Sequence, residues 1–211
     1  MRLEPRRSRS TAPVVDDVHS LVPEGRLLDI GCHVGNLVAV ATERGYDALG
    51  IDLDPVSTAE GRSIGRRMRT GGVEEVGETF DVVVMNALLE HIVDLRTFLF
   101  NVARVLAPGG YTFVHVPHYR GLMPRLMRTH WMGWFPSQHV WHFTPRTLSS
   151  VVQEASPLRL VRATTRGVIE PPSSGLKGRV KALVDRFSRA VGWGDQIEAI
   201  FRKQEGIANG R

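Results

Sequence analysis

Residues 26–35 read RLLDIGCHVG, and LVAVATER follows at 37–44. RLLDI has the apolar density of a short buried strand, GCHVG the glycines of a tight turn, and the next eight residues the Ala, Leu and Glu content of a helix that Gly45 ends. A strand that turns through glycines into a helix is the opening unit of an α/β sheet. DALGID (47–52) continues it as a second strand. FDVVVMN (80–86) is nearly continuous apolar and β-branched sequence, as a central parallel strand covered on both faces requires.

Outward from this stretch the alternation persists. Residues 13–21 form a leading helix, 55–65 a short helix interrupted by glycines, and a short strand follows before residue 73. Leu95, Phe98, Leu99, Val102 and Leu106 share one helical face, and Pro108-Gly109-Gly110 is the expected stop. YTFVHVP (111–117) is a further strand, and Thr144-Pro145 starts a helix over 145–154. The link 73–79 is the exception: seven extended residues span only about 25 Å and cannot carry a full helix. The pattern predicts a doubly wound α/β sheet.

Of the 211 residues, 42% are hydrophobic and 23% charged, which excludes a disordered or fibrous chain. No apolar run has the length of a membrane span, and MRLEPRRSRST does not read as a secretory signal; residues 1–11 are expected to be a flexible basic tail. The single cysteine, Cys32, has no partner for a disulfide or a Cys-rich metal site, so no metal is expected and a reducing cytoplasm is the default. Cys32 itself reads as a buried packing residue. Residues 12–94 carry a net −9, whereas 95–153 carry +6 without one Asp or Glu. That partition argues against a continuous phosphate-tracking surface, and hence against nucleic acid.

Ligands of open α/β sheets sit beyond the carboxyl ends of the strands, where strand order reverses. Asp29 ends the first strand, Gly31 and Gly35 let backbone approach a ligand, and Asp52 ends the second strand twenty-one residues after Gly31. That is the spacing of a carboxylate that accepts a ribose diol. The loop lacks the glycines a pyrophosphate demands and no Gly-Lys-Ser/Thr follows, so a nucleoside cofactor without pyrophosphate fits, and S-adenosylmethionine (SAM) has that chemistry.

Five stretches in order carry a resemblance: LLDIGCHVG (27–35), GIDLDP (50–55), FDVVVMNALLEHIVD (80–94), LAPGGYTFVHVP (106–117) and HVWHFTPRTL (139–148). Together they resemble the class I SAM-dependent methyltransferases, in a small stand-alone branch, over about residues 25–205. The resemblance implies a Rossmann-like, mostly parallel seven-stranded sheet with an antiparallel last strand. The sixth strand would lie within 155–165 and the seventh within 194–203, in one domain over 12–211 with helical insertions.

By the same analogy Asp29 and Gly31, His33 and Gly35 face the methionine part, Asp52 holds the ribose and Leu53 adjoins it. Met85, Asn86 and His91 line the sulfonium and adenine side. His33 stands where the family has a middle glycine, and Gly72 where an adenine-reading acid often sits, which leaves adenine to the Val73 amide or Glu74. The product would be S-adenosylhomocysteine.

Methyl transfer to a neutral hydroxyl or protonated amine needs a base, and His139, His142 and His118 are the candidates; each reads equally as a surface or packing histidine. His115, inside a strand, reads as core. Residues 120–143 hold Met123, Met127, Trp131, Trp134, Trp141 and Phe143 with Arg120, Arg125 and Arg128, as a lid or wall for an anionic or amphipathic small acceptor would. A small helical cap over the sheet edge is the plainer alternative.

Residues 176–191 place Leu176, Val180, Leu183, Val184, Phe187 and Val191 on one helical face and basic residues on the rest. Such a helix packs on the domain or a second subunit, making a homodimer, or lies on an anionic membrane as a peripheral contact. The function expected is methylation, chiefly O-methylation, of a carbohydrate-, lipid- or quinone-like precursor. The rival is a non-catalytic protein of the same fold that binds nucleoside or nucleic acid through its basic ends; SAM affinity that depends on Asp52 separates them.

Overall fold

A computed structural model of the chain describes residues 11–135, 137–167, 182–184, 186–188 and 190–205. Strands β1 (Arg26–Ile30), β2 (Asp47–Asp52), β3 (Met68–Thr70), β4 (Phe80–Asn86), β5 (Leu106–Pro117), β6 (Leu158–Arg166) and β7 (Gln196–Lys203) form one sheet. Their order is β3-β2-β1-β4-β5-β7-β6, with β7 antiparallel to both neighbours and β1 to β5 parallel. The seven-stranded, mostly parallel sheet is as expected. Chain order runs outward from β1 to β3 and then jumps back to β4, so order reverses between β1 and β4.

Helices α1 (Thr11–Leu21), α2 (Asn36–Glu43), α3 (Pro55–Ser63), α4 (Leu95–Val105), α5 (Leu122–Met127) and α6 (Pro145–Ala155) flank it. Alternation along the strands feeds two cores. Leu28, Ile30, Val83 and Met85 pack with Leu99 of α4 and Leu148 of α6. Leu27, Val82 and Val84 pack with Val15 of α1 and Leu37 of α2 on the other face. The Asp54 carboxylate caps α3 by accepting the Val56 and Ser57 amides, Asp94 caps α4 through the Thr97 amide, and Thr144 caps α6 with Pro145 at its first turn. The 73–79 link holds one 3₁₀ turn, Val73–Glu75, in keeping with its length.

The end of α4 differs from expectation. Pairing in β5 begins at Leu106, opposite Phe80, and resumes at Tyr111, opposite Val82; Pro108-Gly109-Gly110, with Gly109 at φ +75°, lies in the bulge between them. The closing group of α4 is instead Lys203, 8% exposed, whose ammonium donates to the carbonyls of Ala103 (2.7 Å) and Leu106 (2.8 Å). A cation at a helix C-terminus both satisfies orphan carbonyls and opposes the helix dipole. Thr11, assigned to the tail by sequence, is the first residue of α1 and is buried; residues 1–10 lie outside the described residues. Half of the 176–191 helix also falls outside them; 182–184, 186–188 and 190 are helical.

Lys203→Met keeps the apolar stem and deletes the ammonium, leaving two carbonyls unpaired. It should destabilise the fold by about 1–3 kcal/mol in urea titrations, with an unchanged slope.

Candidate functional site

The carboxyl ends of β1, β2 and β4 meet at the reversal of strand order. After Ile30 the chain bends back over β2, with the amides of Gly31 and Cys32 both donating to the Ile51 carbonyl (2.9 and 3.1 Å). Gly31 (φ +74°) has no room for a side chain, since a Cβ would stand 2.9 Å from Leu88 Cδ1. His33, in the usual glycine position, is held at φ +50°, a conformation that costs a non-glycine residue about 1 kcal/mol. The anchor is its own amide, which donates to Asp52 Oδ2 at 2.8 Å. Gly35, at φ +78°, then enters α2.

The other Asp52 oxygen accepts the Asp54 amide (2.9 Å), so this carboxylate staples the β1 and β2 loops together. Leu53 beside it is 75% exposed, an apolar face without cover. Asp29 is the opposite case. It is 3% exposed and accepts no hydrogen bond from any described residue. Burial first, and the charge of Asp52 second, push its carboxyl up to about 8. A left-handed glycine cradle, an acid pair with one unpaired member and an exposed apolar side chain make a fit for a cationic, ribose-bearing ligand. Cys32 is buried near Gly50, where an added Cβ would meet its sulfur at 2.7 Å, and burial raises its thiol pKa, which suits a packing role.

Opposite stands the end of β4. Met85 belongs to the core: its side chain is fully buried, which corrects its expected place on the site wall. Asn86, partly buried, accepts a hydrogen bond from His115 Nδ1 (2.7 Å). His115 is thus a half-buried polar partner of the site rather than core; burial and the Arg166 charge hold its pKa down to about 4. Ala87 is left-handed (φ +53°), its amide donating to the His115 carbonyl at 2.7 Å. The 73–76 turn, with Val73 buried, is clamped from α4 by Arg104, which donates to the carbonyls of Val73, Glu74 and Val76 (2.9–3.1 Å). Sequence gave no sign of that clamp.

The three candidate bases part company. His118 is 4% exposed and pinned, its Nδ1 donating to the Gly194 carbonyl (2.7 Å) and its amide to the Asp195 carbonyl. It ties β5 to the chain entering β7. His142 donates from Nε2 to the Trp134 carbonyl (3.2 Å), leaving Nδ1 as the basic nitrogen, and its ring lies near Tyr119 and Trp134. His139 stacks edge-on against His91 (4.7 Å between centroids). Close to both rings lies Glu90, 1% exposed with both carboxylate oxygens unpartnered and its pKa raised by burial to about 7. Sequence reasoning chose His91 and passed over Glu90, although an acid beside a histidine in an otherwise apolar turn was the available signal.

Residues 120–143 form α5 and two 3₁₀ turns, with Trp131 and Phe143 buried. Trp141 Nε1 donates to the Ile92 carbonyl (2.7 Å), and the Val140 and Trp141 amides donate to the Glu90 carbonyl, fastening this segment to the β4 loop.

Residues 6–156 match a family model described as "Methyltransferase domain". A ubiquinone biosynthesis O-methyltransferase of Rhizobium johnstonii is 32% identical over 130 residues, 57% of this chain and 50% of its own length, so the chain spans about half of that relative. A SAM-dependent methyltransferase from Archaeoglobus fulgidus superposes with TM-score 0.69 at 16% identity, covering 93% of this chain and 94% of its own. A 1,6-didemethyltoxoflavin-N1-methyltransferase from Burkholderia thailandensis, solved with S-adenosylhomocysteine, gives TM-score 0.61 at 20% identity, covering 96% and 80%.

Asp29 has a consequence for stability. Its carboxyl is raised in the folded state, so the folded protein holds a proton that the unfolded chain releases above pH about 4. The resulting stability is fully present below that pH and is lost as the pH rises toward 8. Asp29→Asn should therefore raise the melting temperature of the ligand-free protein at pH 8 by roughly 4–8 °C, for about 2 kcal/mol, and leave it unchanged near pH 4. Thermal melts at the two pH values check it.

Proposed function

This chain belongs to the class I SAM-dependent methyltransferase family, and from that premise we propose that it binds SAM beyond β1, β2 and β4 and methylates an oxygen of a small quinone-type precursor. The observation that carries the cofactor reading is the pair of carboxylates ending β1 and β2, one of them buried without a donor. Asp29 would balance the positive methionine end, Asp52 would take the ribose hydroxyls on its remaining lone pairs, and Leu53 and the Val73 turn would flank adenine. Gly31, His33 and Gly35 would shape the floor, and Asn86 and His91 the far side. SAM supplies a methyl group on a sulfonium, whose carbon–sulfur bonding pair stays with sulfur as a new carbon–oxygen bond forms.

The chain's own work is alignment and removal of one proton. His142 is the base of this reading, because its Nε2 is spent on the Trp134 carbonyl and its Nδ1 is left for an acceptor. The acid-free 120–143 wall supports an acceptor that is apolar with an anionic group, and the naming of the Rhizobium johnstonii relative supports a hydroxylated aromatic precursor. Asp52→Ala should weaken SAM and S-adenosylhomocysteine alike by about 1.5–3 kcal/mol in calorimetry. His142→Gln should lower turnover of a hydroxybenzoate-type acceptor roughly 10²-fold with SAM affinity intact. Unchanged affinity in the first variant, or full turnover in the second, removes the respective assignment.

A lipid-borne acceptor is the finer reading, and one feature favours it. Leu183 (69%) and Phe187 (58%) are exposed, as is Leu126 of α5 (68%), and Arg125 stacks on Trp193, whose ring lies near Phe187. That apolar surface with a cationic edge suits an anionic bilayer. Sedimentation with anionic vesicles should be strong at low salt, weak at high salt and abolished in Phe187→Asp; no binding at low salt leaves packing on a second subunit.

A further inference from the structure

We propose that Glu90, His91 and His139 form a binding site for one divalent first-row transition-metal ion, with zinc as the best match. No metal was expected from the sequence, because that expectation rested on cysteine, and the ligands assembled here are imidazoles and a carboxylate from two separated segments.

Geometry carries the proposal in three steps. First, Glu90 is 1% exposed and neither carboxylate oxygen has a hydrogen-bond partner. Buried carboxylates are paired, hydrogen-bonded or bound to a metal, and no Lys or Arg among the described residues pairs with this one. Second, both histidines are set in the ligating tautomer. His91 Nδ1 lies 3.0 Å from the Gln138 carbonyl and His139 Nδ1 lies 2.9 Å from the Gly133 carbonyl. A carbonyl oxygen only accepts, so each Nδ1 carries the proton and each Nε2 is left with its lone pair. This backbone anchor is the outer-shell arrangement that orients metal-bound histidines. Third, one ligand atom from each of the three residues lies within 4.8 Å of the others. Three ligand atoms are thus gathered from two segments, and a single cation answers all three.

The donor set selects the ion. Two imidazole nitrogens and one carboxylate oxygen suit zinc or a neighbouring transition ion, whereas magnesium and calcium favour oxygen shells. Three protein ligands leave a position open, which a water or an acceptor oxygen can fill; an oxygen so bound loses its proton more readily. His142, with its ring 6.4 Å from that of His139, is not a ligand. An ion here would also lock the β4 loop to the 133–140 segment, which the Glu90 carbonyl already joins through two amides. The site stands on these three residues whether or not the quinone-type acceptor is right.

The test uses the whole chain, stripped with chelator and titrated with Zn²⁺ by calorimetry. One equivalent should bind, Mg²⁺ at the same concentration should not compete, and Co²⁺ should give the visible absorption of a low-coordinate nitrogen- and oxygen-ligated ion. Glu90→Gln and His139→Gln should each weaken Zn²⁺ binding roughly 10²-fold, while His142→Gln leaves it unchanged. Circular dichroism of both ligand variants confirms that they are folded. Failure of the chelator-treated protein to bind stoichiometric Zn²⁺ overturns the proposal, as does binding that both folded ligand variants retain in full. SAM affinity, read in the same samples, reports the cofactor site separately.

Discussion

Two carboxylates at the ends of adjacent parallel strands are the constraint around which this molecule is arranged. Asp52 is committed: one oxygen holds the left-handed His33 in place and the other holds Asp54. Asp29 is left buried, without a donor, and within the field of its neighbour. A fold tolerates such a group only where the surrounding packing is strong, and here β1 and β4 supply it with side chains that are almost completely buried on both faces of the sheet. Strain collects at the same edge, in the positive φ of His33 and Ala87. Stability given up at a functional edge and recovered in the core is the usual balance of an active site.

The walls around this edge are held from a distance. Lys203 at the end of β7 closes α4, and Arg104, in the last turn of α4, grips the turn that contains Val73. The last strand and the site loop are thus coupled through one helix. On the opposite wall, the 128–143 segment hangs from the Glu90 carbonyl and from the Ile92 carbonyl through Trp141.

What was legible in the sequence follows from locality. β1, β2 and β4 carry their burial in contiguous apolar residues, and the Thr144-Pro145 cap acts within one turn, so each could be read in place. Asp29, Gly31 and Asp52 were legible because the loop chemistry is tied to fixed offsets from strand ends. Lys203 was not, since its partners lie about a hundred residues away and a lysine near a strand end ordinarily points to solvent. The same holds for Arg104. The anchoring of His118 was not legible either, because Gly194 and Asp195 lie more than seventy positions away. Met85 and Asn86 were named together, and strand alternation separates them: Met85 is fully buried in the core and Asn86 only partly buried. The Glu90, His91 and His139 cluster joins residues nearly fifty positions apart, a distance at which no motif reports.

The central claim is that Asp29 waits in its protonated form for a cationic nucleoside ligand. Calorimetric titration with SAM at pH 7 in buffers of differing ionisation enthalpy measures it most directly. If the positive methionine end settles beside Asp29, its carboxyl ionises and binding releases a proton, so the observed enthalpy shifts with the buffer; in Asp29→Asn that shift disappears. Binding of SAM with no proton release, or release that survives in Asp29→Asn, would contradict the account.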